Sequence, residues 1–160
     1  MTISIVNGNI LDGDWETLVH SVNHQGVMGA GLAKQIAMKW PEIVTDYKEF
    51  CKRFSYDDIR RIGIYHLFVL GGKDAGRFIA GIVGQDDYGK RGKYTDYAAI
   101  ATSLVEVAWY ADRMGLLRIA IPFGMGCGLG GGDWNVVYPI VQDVFNYYPH
   151  LEVKIYKYER

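Results

Sequence analysis

Asn23-His24-Gln25-Gly26-Val27-Met28-Gly29-Ala30-Gly31-Leu32-Ala33-Lys34 is the stretch whose reading decides the fold. An apolar run from Thr17 to Val22 precedes it and reads as a buried strand, and a helical pattern from Leu32 to Trp40 follows it. Its glycines therefore fall at a strand-to-helix turn. There, backbone N–H groups can approach a ligand closely, and the helix start adds the positive end of its dipole. A second glycine-rich turn, Phe123-Gly124-Met125-Gly126-Cys127-Gly128-Leu129-Gly130-Gly131-Gly132-Asp133, repeats the arrangement later in the chain. Two such cradles point to a ligand with two anchored parts, and a nucleotide diphosphate fits that description.

Upstream of the first turn, Ile3 to Val6 predicts a short strand closed by Asn7-Gly8-Asn9. Asn9 and Ile10 lie just past its carboxyl end, where α/β sheets bind ligands; Asn-Gly-Asn also reads as a plain turn former. The next strand, Leu18 to Asn23, is nearly continuous in apolar residues, as expected of a strand covered on both faces. His20 interrupts it, and reads either as a hydrogen-bonded core residue or as a catalytic one. Regular alternation puts His20 and Asn23 on opposite faces, unless the strand ends or bulges between them. Asn23, at the mouth of the glycine turn, is the better placed for a ligand.

Downstream, Pro41 opens a helix over Glu42 to Phe54 whose stripe (Ile43, Val44, Tyr47, Phe50, Cys51, Phe54) is apolar, so Cys51 reads as structural. Gly63 to Leu70 and Arg77 to Val83 predict an antiparallel hairpin with a glycine-rich loop. The polar stretch Gly84 to Tyr94 is either an exposed loop or a lid that brings Tyr88, Lys90, Arg91, Lys93 and Tyr94 over a ligand. Thr95 is the expected N-cap of a helix from Asp96 to Met114, with Gly115 as its stop. Leu117 to Ile121 predicts a strand, Asp133 caps a helix running to about Tyr147, and Glu152 to Tyr158 alternates as a terminal strand.

Composition sets the outer limits. A chain of 160 residues, 49% hydrophobic and 22% charged, reads as one globular domain. A net charge of −1 lacks the basic excess of a general nucleic-acid binder. Cys51 and Cys127 do not make a disulfide framework and point to a reducing compartment. The N-terminus lacks a signal-peptide pattern, and no apolar run approaches the roughly 18 residues that span a bilayer. The expected location is the cytoplasm.

Gly126-Cys127-Gly128-Leu129-Gly130-Gly131 formally matches G-x-G-x-x-G. A dinucleotide fold needs that fingerprint at its first strand–helix turn with several strands still to come, whereas here one helix and one strand remain. The Walker pattern is absent. Cys127, flanked by glycines near a helix start, is a place where a thiol pKa can fall, but no histidine is near it in sequence.

Three segments in order, Gly8 to Leu11, Leu18 to Ala33 and Gly124 to Trp134, resemble the macrodomain family, and the order of elements agrees along nearly the whole chain. They are most similar to the branch of the terminal ADP-ribose glycohydrolases, the DNA ADP-ribosyl hydrolase antitoxins and the ADP-ribose-1″-phosphate phosphatases. The resemblance implies a three-layer α/β/α fold around a central mixed sheet of six or seven strands, with ADP-ribose in a cleft at the strand ends. Gly8, Asn9 and Ile10 would lie at the adenine, with Asn9 standing where the family usually has aspartate. Ser21, Val22 and Asn23 are ligand-binding positions, Asn23 at the distal ribose. Met28, Gly29, Ala30, Gly31, Leu32 and Ala33 would wrap the diphosphate and distal ribose. Pro122, Phe123, Gly124, Met125, Gly126, Cys127, Gly128 and Leu129 would close the other side.

For catalysis the resemblance divides. The glycohydrolase branch attacks the sugar with a lysine after the fourth strand, where this chain has Gln85, with Lys90 and Lys93 further along. One subgroup has an acidic residue after G-C-G-L, where this chain has Gly130; its nearest carboxylate is Asp133. His20-Ser21-Val22-Asn23 resembles the phosphatase branch, in which the histidine is implicated in hydrolysis. The expected activity is hydrolysis of ADP-ribose-1″-phosphate to ADP-ribose and phosphate. His20 would be general acid/base with a pKa near neutrality, and Asp133 a second catalytic candidate. The alternatives are removal of ADP-ribose from modified protein or nucleic acid, and a reader without chemistry. No cofactor or metal is expected, since His24, His66 and His150 are scattered. The expected partner is ADP-ribose or a derivative, with no membrane, no general nucleic-acid binding and no second subunit.

Overall fold

Strand β2 (Thr17–Asn23) is apolar along almost its whole length because helices cover both of its faces. In the computed structural model, which describes residues 3–86, 95–128 and 131–158, it sits inside a six-stranded sheet. The other strands are β1 (Ile3–Asn7), β3 (Tyr65–Val69), β4 (Phe78–Gln85), β5 (Arg118–Pro122) and β6 (Glu152–Lys157). Their order across the sheet is β1-β6-β5-β2-β4-β3. Every neighbouring pair is parallel except β3 with β4, the expected antiparallel hairpin. The carboxyl ends of β2, β4 and β5 therefore open on one edge.

Five helices complete the described residues: α1 (Gly31–Lys39), α2 (Glu42–Arg53), α3 (Tyr56–Ile62), α4 (Tyr97–Met114) and α5 (Trp134–Asn146). The stripes of α4 (Ile100, Leu104, Val107, Ala108, Ala111) and α5 (Val137, Val141, Val144, Phe145) bury against Val19, Ile119, Ile121, Val153 and Ile155 on one sheet face. Ile36 of α1, with Ile43 and Tyr47 of α2, covers Leu18, Val22, Ile79 and Val83 on the other. Each large side chain so buried contributes about 1.5–3 kcal/mol. The three-layer arrangement follows from this alternation.

Two local features depart from expectation. The N-cap of α4 is Asp96, whose Oδ1 accepts from Ala99 N at 3.1 Å, while Thr95 forms a bridge with Gln85 instead. A carboxylate one residue on is the stronger acceptor for a helix start, and it displaces Thr95 from that role. Helix α3 was not expected. Its start is capped by Ser55 Oγ, which accepts from Asp58 N at 3.2 Å, and its end by Gly63 in the left-handed region (φ 74°). Ser55-Tyr56-Asp57-Asp58 carries the Ser-x-x-acid capping signature. Gly115 ends α4 (φ 70°), and Asp133 caps α5, as read from the sequence.

Candidate functional site

A cavity of 770 Å³ opens at the carboxyl ends of β2, β4 and β5. Its lining is His20, Ser21, Val22 and Asn23 from β2, Val27 and Gly29 to Ala33 from the first glycine turn, and Gln85 from β4. Pro122 to Gly126 and Gly128 supply the wall beyond β5. Crevices at this end of parallel strands are where α/β sheets place ligands.

Asn23 builds the first wall. Its Oδ1 accepts from Gln25 N at 3.0 Å and Val27 N at 3.3 Å, and its Nδ2 donates to Val27 O at 2.9 Å. The Tyr47 hydroxyl donates to the Asn23 carbonyl from beneath. This Asx-type bracket folds the chain over into α1. No side chain caps α1, and its first helical bond runs from Lys34 N to Ala30 O at 3.2 Å. The N–H groups of Gly31, Leu32 and Ala33 thus have no acceptor among the described residues, and they lie at the positive end of the helix.

The second wall uses the same device without a helix. Gly124 and Gly126 both take left-handed backbone (φ 77° and 78°). Met125 N and Cys127 N are consumed by Pro122 O (3.1 Å) and Gly124 O (2.8 Å). The N–H groups of Gly124, Gly126 and Gly128 are left without acceptors among the described residues, on positions that line the cavity. Two rows of unpartnered N–H donors therefore bound one space, which suits an anion with several oxygens.

His20 lies at the base of the cavity and is only 3% exposed. Despite strand alternation, the structure brings His20 and Asn23 to one space, because the cavity opens across the end of β2 and all four of His20, Ser21, Val22 and Asn23 line it. The His20 Nδ1 has no partner among the described residues. Burial, and secondarily the neighbouring His66, pushes its pKa down from 6.5 to about 4. The expectation of a near-neutral pKa is thereby corrected: His20 is an uncharged imidazole at physiological pH and holds no proton for a general acid to give.

The other predicted residues divide. Ser21 to Asn23, Gly29 to Ala33, Pro122 to Gly126 and Gly128 come together around the cavity. Gly8, Asn9, Ile10, Met28 and Cys127 are outside its lining. Asn9 Oδ1 accepts from Leu11 N at 3.0 Å and so caps a short 3-10 turn over Ile10–Asp12. Ile10 is buried, with its carbonyl accepting from Trp15 Nε1 at 2.7 Å, and Met28 is buried in the core. Asp133 is exposed, and its carboxylate accepts from Asn135 N at 2.9 Å; the structure does not bring it to His20. Burial raises the Cys127 thiol pKa, with Asp133 adding to it, which is opposite to the shift a nucleophile needs. Leu129, Gly130, Tyr88, Lys90, Arg91, Lys93 and Tyr94 lie outside the described residues.

Val27 and Tyr47 were not expected at the site, and Gln85 was considered only as the residue standing where the glycohydrolase branch has its lysine. Val27 had a signal, an apolar residue inside a polar turn; Tyr47 was legible only as one member of an apolar stripe. Among the described residues, no group of His, Cys, Asp and Glu is arranged to hold a metal ion, and no helix is long and apolar enough to cross a membrane.

No protein-family model matches the sequence. The chain is 30% identical over 156 residues to the DNA ADP-ribosyl glycohydrolase of Mycobacterium tuberculosis, a match covering 96% of this chain and 42% of that protein. The chain thus spans about two fifths of the length of that relative. A shorter segment of 54 residues, 32% of this chain, is 39% identical to the ADP-ribose 1″-phosphate phosphatase of Saccharomyces cerevisiae, covering 30% of it. Among solved structures, the macrodomain of Mycobacterium tuberculosis DarG superposes with a TM-score of 0.82 at 29% identity, over 96% of both chains. The strand order, the two glycine walls and this similarity along nearly the whole chain agree: the chain has the macrodomain α/β/α fold.

Proposed function

We propose that the cavity binds ADP-ribose and that the protein is a hydrolase that releases ADP-ribose from a group attached to its distal ribose, with the 160 residues acting as one domain. The observation that carries this reading is the pair of cavity-lining rows whose N–H groups have no acceptor among the described residues, Gly31 to Ala33 in one wall and Gly124, Gly126 and Gly128 in the other. They suit a diphosphate and its neighbouring ribose. His20 is the single titratable side chain among the described lining residues, so attraction for the anion comes from peptide dipoles. As a neutral imidazole at the base of the cavity, His20 orients water or a ribose hydroxyl by hydrogen bonding. The Asn23 bracket holds the first wall in place while the bond breaks.

ADP-ribosylated DNA is the substrate we place first, because the relatives that match along nearly the whole chain are named DNA ADP-ribosyl glycohydrolases. A net charge of −1 fits recognition through the ADP-ribose unit rather than through the nucleic-acid backbone. The second reading is ADP-ribose-1″-phosphate hydrolysis, favoured by the 39% identical segment shared with a phosphatase.

One sample decides between them. Calorimetric titration of ADP-ribose is followed by assays for ADP-ribose release from an ADP-ribosylated oligonucleotide and for phosphate release from ADP-ribose-1″-phosphate. Binding with release from the oligonucleotide supports the first reading, and phosphate release supports the second. Binding with neither leaves a reader, and absence of binding sinks the proposal. In the same titration Gly126→Ala is expected to bind about tenfold more weakly, because a non-glycine residue in left-handed backbone costs roughly 1–2 kcal/mol. Its Cβ would also stand 3.1 Å from Ile100 Cδ1.

A further inference from the structure

Thr95, Asp96 and Tyr97 enter α4 with their side chains sent in two directions. Asp96 serves the helices: besides capping α4, its Oδ2 accepts from Arg60 Nε at 2.6 Å and from the Tyr56 hydroxyl at 3.0 Å. Its two neighbours serve the second glycine turn. Thr95 is buried and donates through Oγ1 to the Gly126 carbonyl at 2.5 Å. The Tyr97 hydroxyl accepts from Asp133 N at 2.9 Å. Gly132 N donates to the same Gly126 carbonyl at 3.1 Å, so that oxygen is held by two donors.

The Thr95 methyl adds packing to the hydrogen bond. A Cβ built on Gly126 would stand 3.6 Å from Thr95 Cγ2, and one on Gly132 would stand 3.0 Å from it and 2.6 Å from the Gly126 oxygen. Glycine at 126 has no side chain to hold its torsions, so contacts from outside the turn must help select its left-handed conformation.

We propose that Thr95 and Tyr97 are positioning residues for the second anion cradle, pinning it at Gly126 and at Asp133 so that its N–H donors are aimed before a ligand arrives. The inference rests on the reading of the cavity as an ADP-ribose site and adds to it the residues that preorganise one wall. Neither side chain lines the cavity, so each would act on a ligand indirectly, Thr95 through Gly126 and Tyr97 through Asp133.

The test is calorimetric titration of ADP-ribose into the whole protein and three variants, with thermal melting of each. Thr95→Val keeps the shape and removes the donor, and is expected to weaken binding about tenfold, the effect of one buried hydrogen bond on an aimed group. Thr95→Ser restores the hydroxyl and is expected to bind within about twofold of the parent. Tyr97→Phe removes the acceptor for Asp133 N and is expected to weaken binding about threefold; it carries the test if Thr95→Val does not fold. Parent-like affinity in both Thr95→Val and Tyr97→Phe overturns the inference and leaves the site reading intact. A Thr95→Ser variant as weak as Thr95→Val also overturns it, since the hydroxyl would then not be the cause. A parent protein that does not bind ADP-ribose overturns the site reading, and the inference with it.

Discussion

Acidification from pH 6.5 towards pH 4 is expected to remove about 3 kcal/mol of folding stability through His20 alone. The ordinary histidine pKa is 6.5, and burial followed by His66 lowers it to about 4 in the folded chain. Between those values the unfolded chain takes up a proton that the folded chain refuses. Stability is therefore complete above pH 6.5 and is lost progressively as the pH falls towards 4. Asp96 and Asp74 also hold depressed carboxyl pKa values, through Arg60 and through Trp40 with Arg77, and they add their own loss at still lower pH. Urea unfolding of the parent and of His20→Leu at pH 7 and near pH 4.5 separates the contributions, because the carboxylates are common to both. The parent should lose markedly more stability than the variant; parallel losses would show that His20 is not a buried neutral group. The same shift predicts a turnover profile without a His20 ionisation near neutrality.

Trp15→Ala is expected to destabilise the fold by about 3–5 kcal/mol, the range for deleting a buried aromatic ring. Trp15 is 2% exposed and is held from every side. Its Nε1 donates to Ile10 O at 2.7 Å, its ring meets Trp40 edge-on at 6.3 Å, and the Arg77 guanidinium lies 3.7 Å above the ring centre. Arg77 in turn donates to Trp15 O at 2.9 Å, to Gly13 O at 2.7 Å and to Asp74 at 3.2 Å. Loss of the ring leaves a void beneath the Ile10–Asp12 turn, a lost partner for the Ile10 carbonyl and an Arg77 with nothing to stack on. Trp15→Phe keeps most of the volume, and should fall between the parent and the alanine variant in chemical unfolding. A Trp15→Ala protein within about 1 kcal/mol of the parent would contradict this account.

The features that were legible in the sequence were local ones. Glycine spacing after an apolar run gave both walls of the cavity. The apolar stripe of α2, the stop of α4 and the cap of α5 gave those helices, because period and turn chemistry are written within a dozen residues. The layers came from the family resemblance. Sheet order was not legible. That β6 inserts between β1 and β5 depends on pairings between distant segments, such as Ile3 with Val153, which no local pattern records. Equally hidden was that four consecutive residues of β2, His20 to Asn23, line one cavity. Helix α3 was there to be read in Ser55 and Asp58, but its few apolar residues left the capping signal without a stripe to support it. Asn9 and Asn23 were read as residues that touch a ligand. The structure uses the side chains of both to bend backbone, a common task for asparagine beside a turn.

A cavity whose donors are peptide N–H groups keeps its recognition in atoms that every residue type but proline shares. Replacing the non-glycine lining side chains by alanine would leave those donors in place, so a scan confined to those positions would be largely silent. The information sits in torsion angles, and the substitutions that erase it are the ones that add a methyl to Gly124 or Gly126.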